Sequence, residues 1–304
     1  MADSALFVFP FTAMASPCEL RLYALSQELA DRAAESAIAE VRRIEQKYSR
    51  YREDSALSVI NRAAGGTAVA IDSETFGLLS YADSAFQQSG GLFDITSGVL
   101  RRAWDFKSGS LPAEADLQAL LNIVGWDKVE LTNSQVRLSQ PDMELDFGGF
   151  GKEYAADTAA RICLDVGIQH GLVDLGGDIR VIGPHPDGSA WRVGIRDPSN
   201  LERAKLVVPL KSGGLASSGD YERFMIVAGQ RYSHILDPRN GWPVQNSFRS
   251  LSVVAPLCLL AGTAATIGLL KGAAQAPDWL AQLALPHYWV QANGLSGGDL
   301  VPLA

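Results

Sequence analysis

From Cys18 to Tyr23 apolar and polar residues alternate, which is the pattern of a strand with one buried face. Ser26 is placed to cap a helix behind it. There Ala30, Ala33, Ala34, Ala37, Ile38, Val41, Ile44 and Tyr48 keep helical spacing, while Glu35, Arg42, Arg43 and Gln46 fall on the opposite side. A stripe made mostly of alanine predicts close packing, most simply on a sheet. A second helix is predicted from Ser73 to Gln88, with Leu78, Leu79, Ala82, Ala85 and Phe86 inward and Gly90-Gly91 as its stop. Leu117, Leu120, Leu121 and Val124 mark a shorter third helix. The segments Lys128–Leu131 and Gln135–Leu138 read as a hairpin turned by Thr132-Asn133-Ser134. A helix from Lys152 to Asp165 ends at Gly167, residues 171–230 are strand-rich with many turns, and a last buried helix spans Leu259 to Leu270. Short strands mixed with helices, without regular βαβ alternation, predict an α+β fold with largely antiparallel sheet. No repeat or linker divides the 304 residues, so one domain of two intimately packed halves is expected.

The formal net charge of −8 argues against a nucleic-acid partner, whose phosphates require a basic surface. Three cysteines far apart, Cys18, Cys163 and Cys258, read as free core thiols rather than a disulfide framework. The opening run Leu6-Phe7-Val8-Phe9-Pro10-Phe11 has the outline of a signal peptide. Asp3 rather than a basic residue precedes it, however, and Pro10 interrupts it. No uncharged apolar run approaches the roughly 20 residues that span a bilayer. The chain as written is expected to be cytoplasmic, or periplasmic if a leader precedes it.

Five segments could carry chemistry. Asp146-Phe147-Gly148-Gly149-Phe150-Gly151-Lys152 leads a strand through glycines into a helix, whose N-terminus favours anions. Its spacing is neither a P-loop nor a dinucleotide fingerprint, and a plain tight turn reads the same residues equally well. Gly176-Gly177 reads alone as a bulge or strand turn. Ser217-Ser218-Gly219-Asp220-Tyr221 offers hydroxyls and amides but also reads as a polar loop. His234 precedes the turn Asp237-Pro238-Arg239-Asn240-Gly241, where a lone histidine is more often structural. Gly262 and Thr266 share a helical face, which by itself indicates packing.

Taken together and in order, these segments resemble the ApbE family of FAD:protein FMN transferases. Ser49-Arg50-Tyr51, Gly91-Leu92-Phe93-Asp94-Ile95-Thr96, Leu175-Gly176-Gly177-Asp178 and Ser233-His234-Ile235-Leu236-Asp237-Pro238 are part of that resemblance, which runs from Met14 to about Gly272. It implies a T-fold-like α+β architecture with FAD in a cleft between two halves. It further implies that Met14 and Tyr51 pack on the rings of FAD, that Leu92, Phe93 and Asp94 line the site, and that Asp146, Lys152, His234 and Ile235 contact the cofactor. The Gly149 carbonyl and the Thr266 hydroxyl correspond to ligands of Mg²⁺. The implied reaction cleaves the FAD diphosphate, attaches FMN to a Ser or Thr hydroxyl of an acceptor flavoprotein and releases AMP, with His234 as the proton acceptor. Hydrolysis of FAD to FMN and AMP, or FAD binding without chemistry, are the alternatives.

The sequence departs from the family pattern at four places. Gly262 stands where an Asp metal ligand is usual, Ala265 where some members carry a second acid, Glu153 where glycine follows the lysine, and Met14-Ala15-Ser16 where Met-Gly-Thr is usual. Without the carboxylate at 262, weak Mg²⁺ binding is expected, and an Asp placed there would point to the same spot as Thr266. A competing reason for glycine is a neighbour packed against bare backbone.

Overall fold

Ser26 accepts a hydrogen bond from the Leu29 amide at 3.3 Å and starts α1 (Gln27–Tyr48) where the hydroxyl pattern predicts it. The computed structural model describes residues 4–300. Before α1 lie β1 (Ala5–Ala13) and β2 (Ser16–Ala24); after it come α2 (Ala56–Arg62), β3 (Val69–Ala70), α3 (Ser73–Ser89), a 3-10 helix at Ile95–Arg102 and α4 (Glu114–Leu121). Next are β4 (Val129–Leu131), β5 (Gln135–Leu138), α5 (Gly151–Val166), β6 (His170–Leu175), β7 (Asp178–Gly183), β8 (Trp191–Asp197) and β9 (Asn200–Leu210). The chain continues through β10 (Gly213–Gly219), β11 (Phe224–Val227), β12 (Gln230–Ser233), β13 (Ser250–Ala255), α6 (Cys258–Lys271), α7 (Ala276–Gln282), β14 (His287–Val290) and β15 (Ser296–Gly298).

The fold is α+β. Its main sheet runs β1-β2-β6-β7-β10-β13-β14-β15, and neighbouring strands in it pair antiparallel. Period-two alternation divides its side chains between two cores. Val173 and Leu175 of β6 join the helices on one face. Leu172 of β6 with Ile179 and Val181 of β7 meet Trp191, Val193, Ile195, Val208 and Leu210 of the β8–β9 hairpin on the other. The helix face is covered by α1, α5 and α6.

The alanine stripe of α1 packs first against α5 and only second against β1 and β2, so the expected helix-on-sheet contact is largely helix on helix. Small side chains serve either purpose, because both need the axes to approach closely. The segment with the outline of a signal peptide is β1, paired residue for residue with β2 from Ala5↔Ala24 to Ala13↔Ser16. Its side chains do alternate in exposure, but both faces carry apolar residues, which hid the strand from a reading of polarity. The helix read as the last one is followed by α7, a short helix opened by Pro277. No described helix is long and apolar enough to cross a membrane. All three cysteines are free and buried, and burial pushes the Cys163 thiol up to about 12.

Candidate active site

The site begins at two tight turns on adjacent strands. Met14 and Ala15 both have positive φ (51° and 56°), as do Gly176 and Gly177 (66° and 97°). These are two-residue hairpin turns of the kind whose twist suits paired strands. The glycine pair is therefore a turn between β6 and β7, and a Cβ at Gly176 would fall 2.7 Å from Ser16 Cβ and 3.4 Å from Lys152 Nζ. The Met14 amide donates to Glu45 Oε1 at 2.7 Å. The β1–β2 turn, the β6–β7 turn and the start of α5 thus meet.

The glycine-rich run enters α5 with Phe150 as its N-cap, a residue with no side-chain hydrogen bond to offer. The Gly151 amide donates to the Phe147 carbonyl at 2.7 Å, and the Lys152 amide is left for another acceptor. Lys152 sits in that turn and pairs with Asp178 Oδ2 at 2.9 Å. Burial alone would lower the ammonium's pKa; the charge of Asp178 outweighs it, and Lys152 is held above its ordinary range. One turn further on, Asp157 caps another helix. Its Oδ1 and Oδ2 accept from the amides of Cys258 and Leu259, both at 2.9 Å, and Arg180 Nε lies 3.1 Å from Oδ1. This clamp sets α6 against α5.

Asp146 is bound by Arg50, and its Oδ1 accepts from the Gly148 amide at 2.9 Å. Its own amide donates to the Ile95 carbonyl at 2.9 Å, which brings the run Leu92-Phe93-Asp94 alongside. Gly98 permits that approach, since a Cβ there would overlap Asp146. Phe93 lies against Gly149, with its ring carbons 3.4 Å from where a Cβ would be. Asp94 starts the 3-10 helix: Oδ1 accepts from Thr96 N and Oγ1 at 2.8 and 2.7 Å, and Oδ2 from the Trp126 amide at 3.1 Å. Burial raises its pKa despite these bonds. Any hydrogen bond from Asp94 to a ligand would share oxygens already engaged within the chain.

Tyr51 is 76 % exposed, the most open large aromatic of the site. Arg50 Nη2 donates to its hydroxyl at 2.8 Å, and the guanidinium lies 4.9 Å from the ring centroid. Burial works to raise the phenol's pKa, but Arg50 and Arg223 outweigh it and lower it. Arg223 links this corner to His234. The Arg223 carbonyl faces both the His234 amide, at 3.0 Å, and its Nδ1, at 3.1 Å. A carbonyl can only accept, so Nδ1 carries the proton and Nε2 is left with a free lone pair. Burial lowers the pKa of His234, which favours this neutral form. Ile235 packs against the buried cluster that contains Ala264, Ala265 and Leu269 of α6. Thr266 Oγ1 lies 2.8 Å from Ser218 Oγ.

The predicted residues are thus joined by shared contacts: Met14 with the α5 turn through Ser16 and Gly176, Asp146 with Tyr51 through Arg50, and Tyr51 with His234 through Arg223. Arg50, Arg223 and the buried Asp178 join these contacts, though reading the sequence does not single them out as site residues, and Ser218, whose hydroxyl the sequence does offer, reaches Thr266. A polar cleft beside them is lined by Arg21, Lys152, Asp174, Asp178, Arg196 and Tyr221 among others. Among the described residues, no group of three or more His, Cys, Asp and Glu side chains is arranged to hold a metal.

At Gly262 the competing explanation is the one found. A Cβ built there would lie 2.7 Å from both Cγ and Cδ of Glu153 and closer still to Oε1. The side chain of Glu153 occupies the space that a residue at 262 would fill.

The model of the ApbE family matches residues 14–289 of the chain. The chain belongs to the ApbE family. An FAD:protein FMN transferase of Klebsiella pneumoniae (strain 342) is 30 % identical over 260 residues, covering 84 % of this chain and 79 % of that protein. One of Treponema pallidum (strain Nichols) is 31 % identical over 274 residues, covering 84 % and 76 %. The crystal structure of the ApbE protein from Thermotoga maritima superposes with a TM-score of 0.88 at 28 % identity, covering 97 % of each chain. The apo Pseudomonas stutzeri flavinyl transferase ApbE, 23 % identical with a TM-score of 0.87, shares the fold. The antiparallel sheet and its helical cover are therefore those of ApbE proteins, and the match extends across the regions described above.

Proposed function

We propose that this ApbE-family chain transfers FMN from FAD to a hydroxyl of an acceptor protein. The observation that carries the reading is His234, held neutral with Nε2 free. It supplies a base beside a set of groups suited to a flavin diphosphate. The exposed ring of Tyr51 offers a face for the isoalloxazine, and its contact with Arg50 limits the rotamers to be ordered on stacking. Lys152 and its own amide at the start of α5 suit the diphosphate, whose charge they oppose without moving.

In the transfer, a Ser or Thr oxygen of the acceptor attacks the phosphorus of the FMN half. The new P–O bond forms as the bond from that phosphorus to the bridging oxygen breaks, and AMP leaves with that oxygen. Nε2 of His234 takes the hydroxyl proton. Positioning and charge neutralisation account for most of the acceleration in such reactions. The Gly149 carbonyl and the Thr266 and Ser218 hydroxyls are oxygen donors of the kind Mg²⁺ takes, and they fit it as neutral ligands. When bound, Mg²⁺ would supply further neutralisation of the diphosphate.

Incubation with FAD and Mg²⁺, with and without an acceptor flavoprotein domain, tests the reading. Acceptor-dependent AMP release with flavin covalently on the acceptor is expected. Equal AMP release without acceptor, together with free FMN, would make the protein a hydrolase. No AMP in either arm would leave it a flavin binder.

A further inference from the structure

Glu153 and Gly262 each depart from the family pattern, and the structure places the two departures in contact. The acid is missing from α6 and present on α5, and its carboxyl lies where a side chain at 262 would extend. We infer that Glu153 is the carboxylate ligand of a divalent cation in this protein, delivered from α5 instead of α6. The inference rests on the reading of the site given above.

Three observations on this chain support it. Glu153 is 7 % exposed, and its carboxylate accepts from its own backbone amide while no cationic side chain pairs with it among the described residues. Nearby cations are committed elsewhere: Lys152 to Asp178 and Arg180 to Asp157. A carboxylate this deep with no cation beside it is costly unless its charge is compensated, and a hard cation is one compensation that oxygen-rich surroundings supply. Next, the backbone that carries Glu153 is held in place against α6. Glu153 lies in the first turn of α5, and the Asp157 clamp at 2.9 Å holds α6 over it. Finally, neutral oxygen donors come from the same elements. Gly149 precedes α5, and Thr266 lies one turn beyond Gly262 on α6, its hydroxyl 2.8 Å from that of Ser218. One carboxylate, hydroxyls and a carbonyl would together make a site for a hard divalent ion completed by water or phosphate oxygens. They are not a site for a thiophilic metal.

On this inference Gly262 would not leave the site without a charged ligand. It also changes what Gly262→Asp should do: the new side chain collides with Glu153 and brings a second carboxylate against the first, so that variant should melt lower than the native chain.

The test uses Mn²⁺ as the probe on the purified chain, titrated by calorimetry and by loss of the free Mn²⁺ electron-spin signal, with and without FAD. One ion per chain is expected. Glu153→Gln should weaken it by about tenfold or more, since a neutral amide replaces the only charged ligand. In EDTA the same variant should melt no lower than the native chain. The double variant Glu153→Gly with Gly262→Asp, which returns the acid to α6, should recover binding. Native affinity in Glu153→Gln, or no Mn²⁺ bound by the native chain in either arm, overturns the inference. If Glu153→Gln fails to fold, the double variant decides: bound Mn²⁺ supports the exchange, and a folded double variant that binds none overturns it. None of these readouts depends on turnover. A chain that holds Mn²⁺ through Glu153 but releases no AMP overturns the proposed reaction alone; AMP release with Mn²⁺ binding indifferent to Glu153 overturns the exchange alone.

Discussion

His234 is useful as a base because one nitrogen is occupied and the other is not. The carbonyl of Arg223 fixes the tautomer, and burial lowers the pKa below the ordinary 6.5. The base form is the one that works, so the acid limb of the rate profile should lie below pH 6.5, with activity lost as pH falls through the depressed value. His234→Ala should lower AMP release by about 10²-fold or more, with FAD affinity and melting temperature little changed. Retained turnover would assign the histidine to structure. Ala15 poses a different question. It holds φ of 56°, a conformation that costs an L-residue about 1–2 kcal/mol, whereas glycine adopts it freely. Part of that gain is lost to glycine's greater unfolded-state entropy, so Ala15→Gly should stabilise by up to about 1 kcal/mol in denaturant titration. A loss of stability would show that the methyl group packs. At this scale the local surroundings of Asp146, Lys152 and His234, a turn or a helix start, were legible in the sequence. The exchange of Glu153 for an acid at 262 was not, since neither departure explains the other until α5 and α6 are folded together. Arg223 was hidden for a similar reason: its carbonyl does the work, and any residue has one.

Helices were the most legible elements. The Ser26 cap, the left-handed Gly90 and Gly167 ends and the alanine stripe of α1 were all readable from local chemistry. What held them to one another was not. Glu74 at the start of α3 binds Arg43 and Lys47 of α1 and accepts from Tyr154 of α5 at 2.9 Å, and these partners hold its carboxyl down at about 2 against the effect of burial. A depressed folded-state pKa means stability that is complete above the ordinary 4.5 and lost as pH falls toward 2. In Glu74→Gln that acid-dependent part should vanish, leaving a flatter plot of melting temperature against pH between 4.5 and 2; an unchanged slope would place the acid sensitivity elsewhere. Asp157 joins α5 to α6 by capping, and Asp157→Ala leaves two amides of α6 without their acceptors. A loss of about 1–2 kcal/mol is expected, together with faster hydrogen exchange at Cys258 and Leu259. Protection unchanged at those two amides would show that water caps the helix as well as the carboxylate does.

For the molecule as a whole, the α+β class and antiparallel pairing followed from the mixture of short strands and helices, while the order of strands did not. Local pattern names a strand and its turn, as at Gln135–Leu138, but which distant strand lies beside it depends on the complete core. That order has a kinetic consequence. β2 is made early, yet its inner neighbour is β6, which follows only after α1 to α5, and β10 in turn waits for β13 beyond a further hairpin. Until β6 arrives, the β2 edge of the β1–β2 ribbon is unpaired. Contacts this distant along the chain must be closed before they stabilise anything, so refolding from denaturant should be slow, on the order of seconds or longer, with an intermediate that binds hydrophobic dye. During synthesis the same geometry keeps that edge open at the ribosome until more than half the chain has been made, a period in which a chaperone, or a second ribbon from a neighbouring nascent chain, can occupy it.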